Sequence, residues 1–289
     1  MIEKLGYQHT GISDRDFQKF RDLIYDECGI NLVSAKKTML SLRLRKRLHT
    51  LGMDSFGQYF DYVSSTEGRI EELIHMLDVI STNKTDFFRE SIHFEYLGKE
   101  ILSGMIQRGD WKSGRRLNVW SAGCSSGEEP YTIAMVLADI ATARNSGDFS
   151  VFATDISSRM LEIARKGIYP ESAIKTVPPV FKRKYMMRGK GSRTGFSRVV
   201  PELRNRLQFQ RINLNNGRGF GIKTRMDVIF CRNVIIYFDR ETQKKLFEKF
   251  YGQLAPGGYL FIGHSESLHG ISDRFKPVAA AVYRKPEDG

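Results

Sequence analysis

The stretch Leu117–Tyr131, LNVWSAGCSSGEEPY, decides how the chain is to be read. Leu117–Trp120 is a short apolar run with the character of a strand. Ser121, Ala122, Gly123, Ser125, Ser126 and Gly127 then form a small-residue turn, and Glu128, Glu129 and Pro130 open an apolar helix. Two further strand-like runs end in polar residues: VFATD, closing on Asp155, and VIFCRNVIIYF. Successive strand ends that carry polar groups describe the mouth of an open α/β sheet, where such folds bind ligands.

Outward from this stretch, strands alternate with helices: LNVWSA, a helix over 129–144, FSVFATD, a helix over 157–166, MDVIFCRN, a helix over 240–254, and YLFIGH. That alternation predicts βαβ units and a parallel sheet with helices on its faces. The closing FKPVAAAVYRKP suits an antiparallel strand or hairpin. A basic, Gly-containing interruption, with β-prone pieces at 196–200 and 207–209, reads as a small antiparallel excursion over about 182–211. The first eighty residues are helical in pattern. Ser13 and Asp16 mark a cap and Gly29 a stop. Leu40, Leu44, Leu48 and Leu51 form one stripe at helical spacing, and helical stretches follow over 56–64 and 69–80. The polar segment STNKTDFFRES (81–91) breaks the pattern, which resumes over 92–108. The organisation expected is an all-helical domain over 1–88 and an α/β domain over 89–289.

Hydrophobic residues make up 41% of the chain, enough for a real core, yet no apolar run approaches the ~20 residues that span a bilayer. The first residues lack the basic-then-apolar order of a signal peptide. Cys28, Cys124 and Cys231 lie far apart with no CxxC, which disfavours disulfides and a cysteine zinc site. A cytoplasmic protein without a metal and without direct membrane insertion is the expectation. The net charge of +12 is local. Residues 1–80 hold 11 Lys/Arg against 12 Asp/Glu, whereas Lys182–Arg211 holds ten basic residues and one acid. Lys36–Arg47 adds six basic residues and no acid. Charge so placed steers an anionic partner, either nucleic acid or an acidic protein surface, unless it is an ordinary solvated face. Arg43, Lys46 and Arg47 fall together beside the leucine stripe as a candidate docking flank.

The turn after Leu117–Trp120 admits a ligand close to the backbone. In a dinucleotide site the helix N-terminus would meet a phosphate. Glu128 and Glu129 suit the helix dipole but repel a phosphate and attract a cation. A cofactor with an ammonium and a sulfonium, S-adenosylmethionine, matches that sign and NAD does not; the alternative is that both acids only cap the helix. Asp155 stands where an acid can accept ribose hydroxyls, or where it can cap the helix that follows.

These residues resemble a known family. SAGCSSGEEPYTIAM, FATDIS, FCRNVIIYF and LAPGGYLFIGHSE, preceded by STNKTDFFRE, look like the chemotaxis receptor protein-glutamate O-methyltransferases of the CheR type, over nearly the whole chain. The resemblance implies a Rossmann-like S-adenosylmethionine-dependent methyltransferase sheet with a small β insertion, preceded by an all-helical domain. It implies that Asn83, Thr85 and Arg89 line the cofactor's methionine end or the active site, and that Gly123 lies in the cofactor turn. Glu128 would face the amino group, Asp155 the ribose, and Asn213 and Leu214 the adenine. Arg232 and Asn233 match the turn after the fourth strand, and Tyr237 matches an aromatic near the transferred methyl. Read without the resemblance, Arg89 could be a surface arginine and Tyr237 a core residue. Cys124 stands where the family has a small residue, and His264 receives no role.

The implied reaction turns glutamate carboxylates on the cytoplasmic methylation helices of chemoreceptors into methyl esters, leaving S-adenosylhomocysteine. A glutamate with a pKa near ~4.3 is already a nucleophile at neutral pH, so no general base is needed. Arg89 is assigned to orient the acceptor and Tyr237 to pack at the methyl. In this family the β insertion can take a receptor's C-terminal peptide by strand addition, and Gly189 and Gly191 suit that reading. A nucleic-acid N-methyltransferase is the rival enzyme, but NVIIY lacks the proline-rigidified turn of base-methylating sites. No nucleic-acid partner is therefore expected. A cofactor-responsive binding module is the non-enzymatic alternative.

Overall fold

The computed structural model describes residues 11–217 and 219–287. The chain divides into two compact units, Met1–Thr82 and Asn83–Gly289. This division precedes the boundary expected after residue 88. The reason is Phe87, which is fully buried and stacks edge-on against Tyr169 within the second unit.

In the first unit, α1 (Asp14–Cys28) starts on Ser13, whose side chain accepts from the Asp16 N–H, and ends on left-handed Gly29. Helix α2 (Lys37–Leu51) buries Leu40, Leu44 and Leu48, while Leu51 is only half-buried. Helices α3 (Phe56–Ser64), α4 (Thr66–Glu71) and α5 (Leu73–Ile80) follow. The single helix expected over 69–80 is thus two, broken at Glu72. Its carboxylate turns inward and accepts from Arg47 Nε and Nη2 at 2.7 Å each and from Tyr59 Oη at 2.7 Å.

The second unit opens with α6 (Ile92–Tyr96), which runs through a π-helical turn (Leu97–Leu102) into α7 (Ser103–Gln107). Next come β1 (Arg116–Ala122), α8 (Glu128–Arg144), β2 (Asp148–Asp155), α9 (Ser158–Lys166) and β3 (Ile168–Pro170). Helix α10 (Pro179–Tyr185), β4 (Met186–Arg188), β5 (Phe196–Val199), α11 (Pro201–Arg204) and β6 (Leu207–Arg211) lead back to the sheet. The chain closes with β7 (Met226–Cys231), α12 (Arg240–Gln253), β8 (Leu254–Ile262), β9 (Lys276–Ala279) and β10 (Val282–Arg284).

Among the described residues the main sheet has the order β6-β2-β1-β7-β8-β10-β9, parallel from β6 to β8, with β10 antiparallel to β8 and to β9. The chain winds from β1 outward through β2 and β6, then returns to the other side of β1 for β7 and β8. The reversal point therefore lies between the C-terminal ends of β1 and β7, the position where open α/β sheets hold ligands. Strand alternation explains the two-faced core. Val119, Val228 and Phe230 face one apolar cluster with Ile133 and Met135 of α8, whereas Trp120 and Ile229 face another with Leu246 and Phe250 of α12.

The β-prone piece at 207–209 is not part of the excursion. It is β6, the edge strand of the main sheet, with Leu207 opposite Val151 in parallel register. The small antiparallel sheet has the order β3-β5-β4 and draws in Ile168–Pro170, ahead of the expected 182–211 span.

Candidate active site

The turn after β1 has the shape of a cradle that only glycine permits at two points. Gly123 (φ 84°) and Gly127 (φ 100°) are left-handed; a Cβ on Gly123 would stand 2.5 Å from Val234 Cγ2, and one on Gly127 would stand 2.8 Å from the Tyr169 hydroxyl. The N–H groups of Gly123 and Cys124 donate to the Thr154 carbonyl at 2.8 and 2.9 Å, stitching the turn to β2. Cys124 is buried, and burial pushes its thiol well above the ordinary value. The Asp155 carboxylate, also buried, accepts the Ser125 N–H on Oδ2 and the Ser157 N–H on Oδ1, both at 2.8 Å. Capping of α9 itself falls to the Ser157 side chain, which accepts from the Met160 N–H. Asp155 is thus fixed in orientation at the C-terminal end of β2 and next to the cradle.

Glu128 begins α8 almost wholly buried, accepting from Ser126 Oγ at 2.7 Å. Burial pushes its carboxyl up to about 6, with the nearby Asp86 adding to the rise and Ser126 opposing it. A carboxylate that pairs with no cation among the described residues, at the mouth of the sheet, is suited to an ammonium group. Glu129 behaves differently. It accepts from Ser121 Oγ at 2.7 Å and from Arg232 Nη1 at 3.1 Å, so it links the ends of β1 and β7. Burial lifts its carboxyl despite the guanidinium.

Arg232 is the hub of this network. Its side chain is 2% exposed; it donates through Nη2 to Glu90 Oε2 at 2.9 Å and to the Arg89 carbonyl. It therefore holds the polar loop rather than presenting its charge to a ligand. Asn233 (φ 58°) follows, its N–H on Glu266 Oε2 at 3.0 Å and its Nδ2 on Glu90 Oε1 at 3.4 Å. The loop residues Phe88 and Glu90 are also left-handed, both at φ 56°. Strain of about 1–3 kcal/mol per residue is held only where surroundings over-determine it. Here Phe88 donates its N–H to Thr132 Oγ1 at 3.2 Å and packs on Phe94 and Phe181. Phe88, Glu90, Ser125 and Asn233 all lie around the cradle, and together they account for most of the left-handed non-glycine residues described.

The remaining expected site residues gather at the same mouth or next to it. The Asn83 carbonyl accepts from Ser125 Oγ at 2.8 Å, and Thr85 is half-buried in the same loop. Arg89 donates through Nη1 to the Lys84 carbonyl at 3.1 Å. Asn213 forms a turn, its Oδ1 accepting the Asn215 N–H, just past β6, where the Ile212 N–H bonds the Asp155 carbonyl. Leu214 is buried in the apolar cluster that also holds Trp120 and Phe220. Tyr237 closes a 3-10 turn after β7 and is only half-buried, so it is not a core residue; Ile235 takes that part.

The docking residues read from sequence are placed less simply. In the first unit Arg43 donates to the Ile80 carbonyl, to the Ser81 carbonyl at 3.2 Å and to Thr82 Oγ1 at 3.1 Å, closing the end of α5. Arg47 is paired with buried Glu72. Of the three, Lys46 alone is exposed. The flank is chiefly a structural device, because a buried carboxylate and a helix C-terminus need those two guanidinium groups. In the small sheet, Gly189 and Gly191 make the β4–β5 turn: a Cβ on Gly189 would stand 2.1 Å from the Arg193 carbonyl oxygen, and Gly191 is left-handed at φ 59°.

Sequence reasoning missed Glu90, Thr132 and Glu266 as organisers of the site. Glu90 stood within the quoted FFRE stretch, but its pairing with Arg232 spans 142 residues and left no local trace. The sequence gives His264 no role; the fold nonetheless brings ligand atoms of Glu90, His93 and His264 within 4.8 Å of one another. No helix among the described residues is long and apolar enough to cross a membrane.

The chain matches known proteins over nearly its whole length. The family model for the CheR methyltransferase SAM binding domain matches residues 83–284, and that for the CheR methyltransferase all-alpha domain matches residues 15–81. The chemotaxis protein methyltransferase of Salmonella typhimurium is 38% identical over 97% of this chain and 93% of its own length. That of Escherichia coli is 39% identical over 97% and 94%, and that of Borreliella burgdorferi 38% identical over 96% of each.

Proposed function

Since the chain belongs to the CheR methyltransferase family, we propose that it transfers the methyl group of S-adenosylmethionine to glutamate side chains of chemoreceptors, forming methyl esters in sensory adaptation. The observation that carries the cofactor assignment is the buried, cation-seeking Glu128 beside a glycine cradle and an oriented Asp155. Bound S-adenosylmethionine supplies a methyl group made electrophilic by its sulfonium.

The protein's own part is to bind, align and exclude water. Glu128 receives the ammonium end and Asp155 the ribose hydroxyls. Asn213 and Leu214 flank the adenine, and Asn83 and Thr85 line the methionine end. Arg232 and Asn233 act as positioning residues through Glu90, holding the loop that bears Arg89. Arg89 orients the acceptor carboxylate and Tyr237 packs at the methyl. The acceptor is an anion at neutral pH and needs no base. Because an anion and a cation become neutral products, charge declines toward the transition state. A dry site helps, and a tight clamp on the acceptor would stabilise the ground state instead. Alignment of oxygen, carbon and sulfur is the work left, for which about 7–11 kcal/mol is available in favourable cases.

Receptor methylation helices present the glutamates. A receptor C-terminal peptide fits the free edge of β4, whose Met187 and Arg188 are exposed, by main-chain pairing. The decisive experiment uses methyl-labelled S-adenosylmethionine with a chemoreceptor cytoplasmic fragment. Label released by mild alkali as volatile methanol is expected; alkali-stable label would mean N-methylation and would overturn the proposal.

A further inference from the structure

His93 lies at the start of α6 with 1% of its surface exposed; among the described residues neither ring nitrogen completes a hydrogen bond of full geometry, although the Ala280 backbone also acts on the ring. A buried polar side chain in that condition costs about 1–3 kcal/mol and calls for an unseen partner, such as a water or an ion. Its Nδ1 stands 3.6 Å from Glu90 Oε2, and His264 Nε2 stands 4.0 Å from the same oxygen. The two imidazoles meet edge-to-face with centroids 4.5 Å apart. Donors around a tetrahedral zinc ion are spaced about 3.4 Å apart when each stands 2.0–2.1 Å away. Small side-chain adjustments would therefore bring all three onto one ion.

The charge balance also admits a cation. Arg232 donates to Glu90 at 2.9 Å, but Glu129 is its second acid, so two carboxylates face one guanidinium. His264 is exposed and provides the way in.

We propose that Glu90, His93 and His264 form a site for a divalent transition ion of the zinc type, with two imidazoles, one carboxylate and an open fourth position. The donor set suits zinc better than magnesium or calcium, which take oxygen ligands. The ion would pin the end of the polar loop, the start of α6 and the turn after β8 to one another.

The test uses full-length, untagged, chelator-treated protein. Titration with Zn2+ by calorimetry and with Co2+ by visible absorption should give one ion per chain. The Co2+ bands should lack thiolate charge transfer, and Zn2+ should raise the melting temperature. His264→Ala, at an exposed position, should weaken Zn2+ binding at least about tenfold and abolish the thermal shift; Glu90→Gln should weaken it as well. Absence of saturable binding, thiolate bands, or an affinity unaltered in His264→Ala would each overturn the proposal.

Discussion

Glu128, proposed to meet the cofactor's ammonium, is held at a cost to the fold. Its carboxyl is raised from an ordinary 4.5 to about 6 by burial, so ionisation is harder in the folded chain than in the unfolded one. The associated stability is full below pH 4.5, declines through the interval to 6, and is gone above it. A Glu128→Gln variant should therefore be more stable than the parent above pH 6, by up to about 2 kcal/mol in urea denaturation, with no gain below pH 4.5. The same variant should bind S-adenosylmethionine roughly tenfold or more weakly in calorimetry, because a charged hydrogen-bonded pair contributes about 1.5–3 kcal/mol. For the parent, affinity should fall as pH drops through 6 and Glu128 takes up a proton. Equal affinities in parent and variant at pH 8 would remove Glu128 from the ammonium site.

Between elements, the buried ion pairs act as fasteners. Arg47 of α2 holds Glu72 at the α4–α5 break, and Tyr59 of α3 donates to the same carboxylate. Removing one member leaves a buried charge uncompensated, at a cost of about 3–5 kcal/mol. Arg47→Ala should accordingly destabilise the helical unit by about 3 kcal/mol and raise hydrogen exchange in α2 and α5. Lys46→Ala, at an exposed position of the same helix, should leave both readouts unchanged. A receptor-methylation defect confined to Lys46→Ala would instead show that what remains of the basic flank meets the substrate. The strand elements follow different rules: β6 left the excursion because parallel pairing with β2 buries Leu207, which a short hairpin would expose.

Over the whole molecule, most of the net charge of +12 comes from Lys182–Arg211, which supplies ten basic residues against one acid. The Debye length contracts from about 10 Å at 0.1 M salt to about 3 Å at 1 M. Attraction between a basic surface and glutamate-bearing receptor helices is screened over that range, whereas a buried carboxylate–ammonium pair is screened much less. Raising salt from about 0.05 to 0.5 M should lower kcat/KM for a receptor fragment several-fold, while the Kd for S-adenosylmethionine changes less than twofold. A parallel loss in both would show that the basic surface has no part in receptor encounter.

Local patterns alone determined the strand–turn–helix at Leu117–Tyr131, the strand end at Asp155, the alternation that gives a parallel sheet, and the acidic start of α8. Hydrophobic period, glycine backbone freedom and helix-end charge all act within a few residues, so they can be read along the chain. Which carboxylates are neutralised within the protein was decided only in three dimensions. Glu128 and Glu129 are neighbours in sequence, yet Arg232 neutralises one and not the other. The same holds for Arg43 and Arg47, which read as a docking face but close a helix end and a buried acid. Pairing, desolvation and left-handed strain depend on residues brought together from distant parts of the chain, and no local period records them.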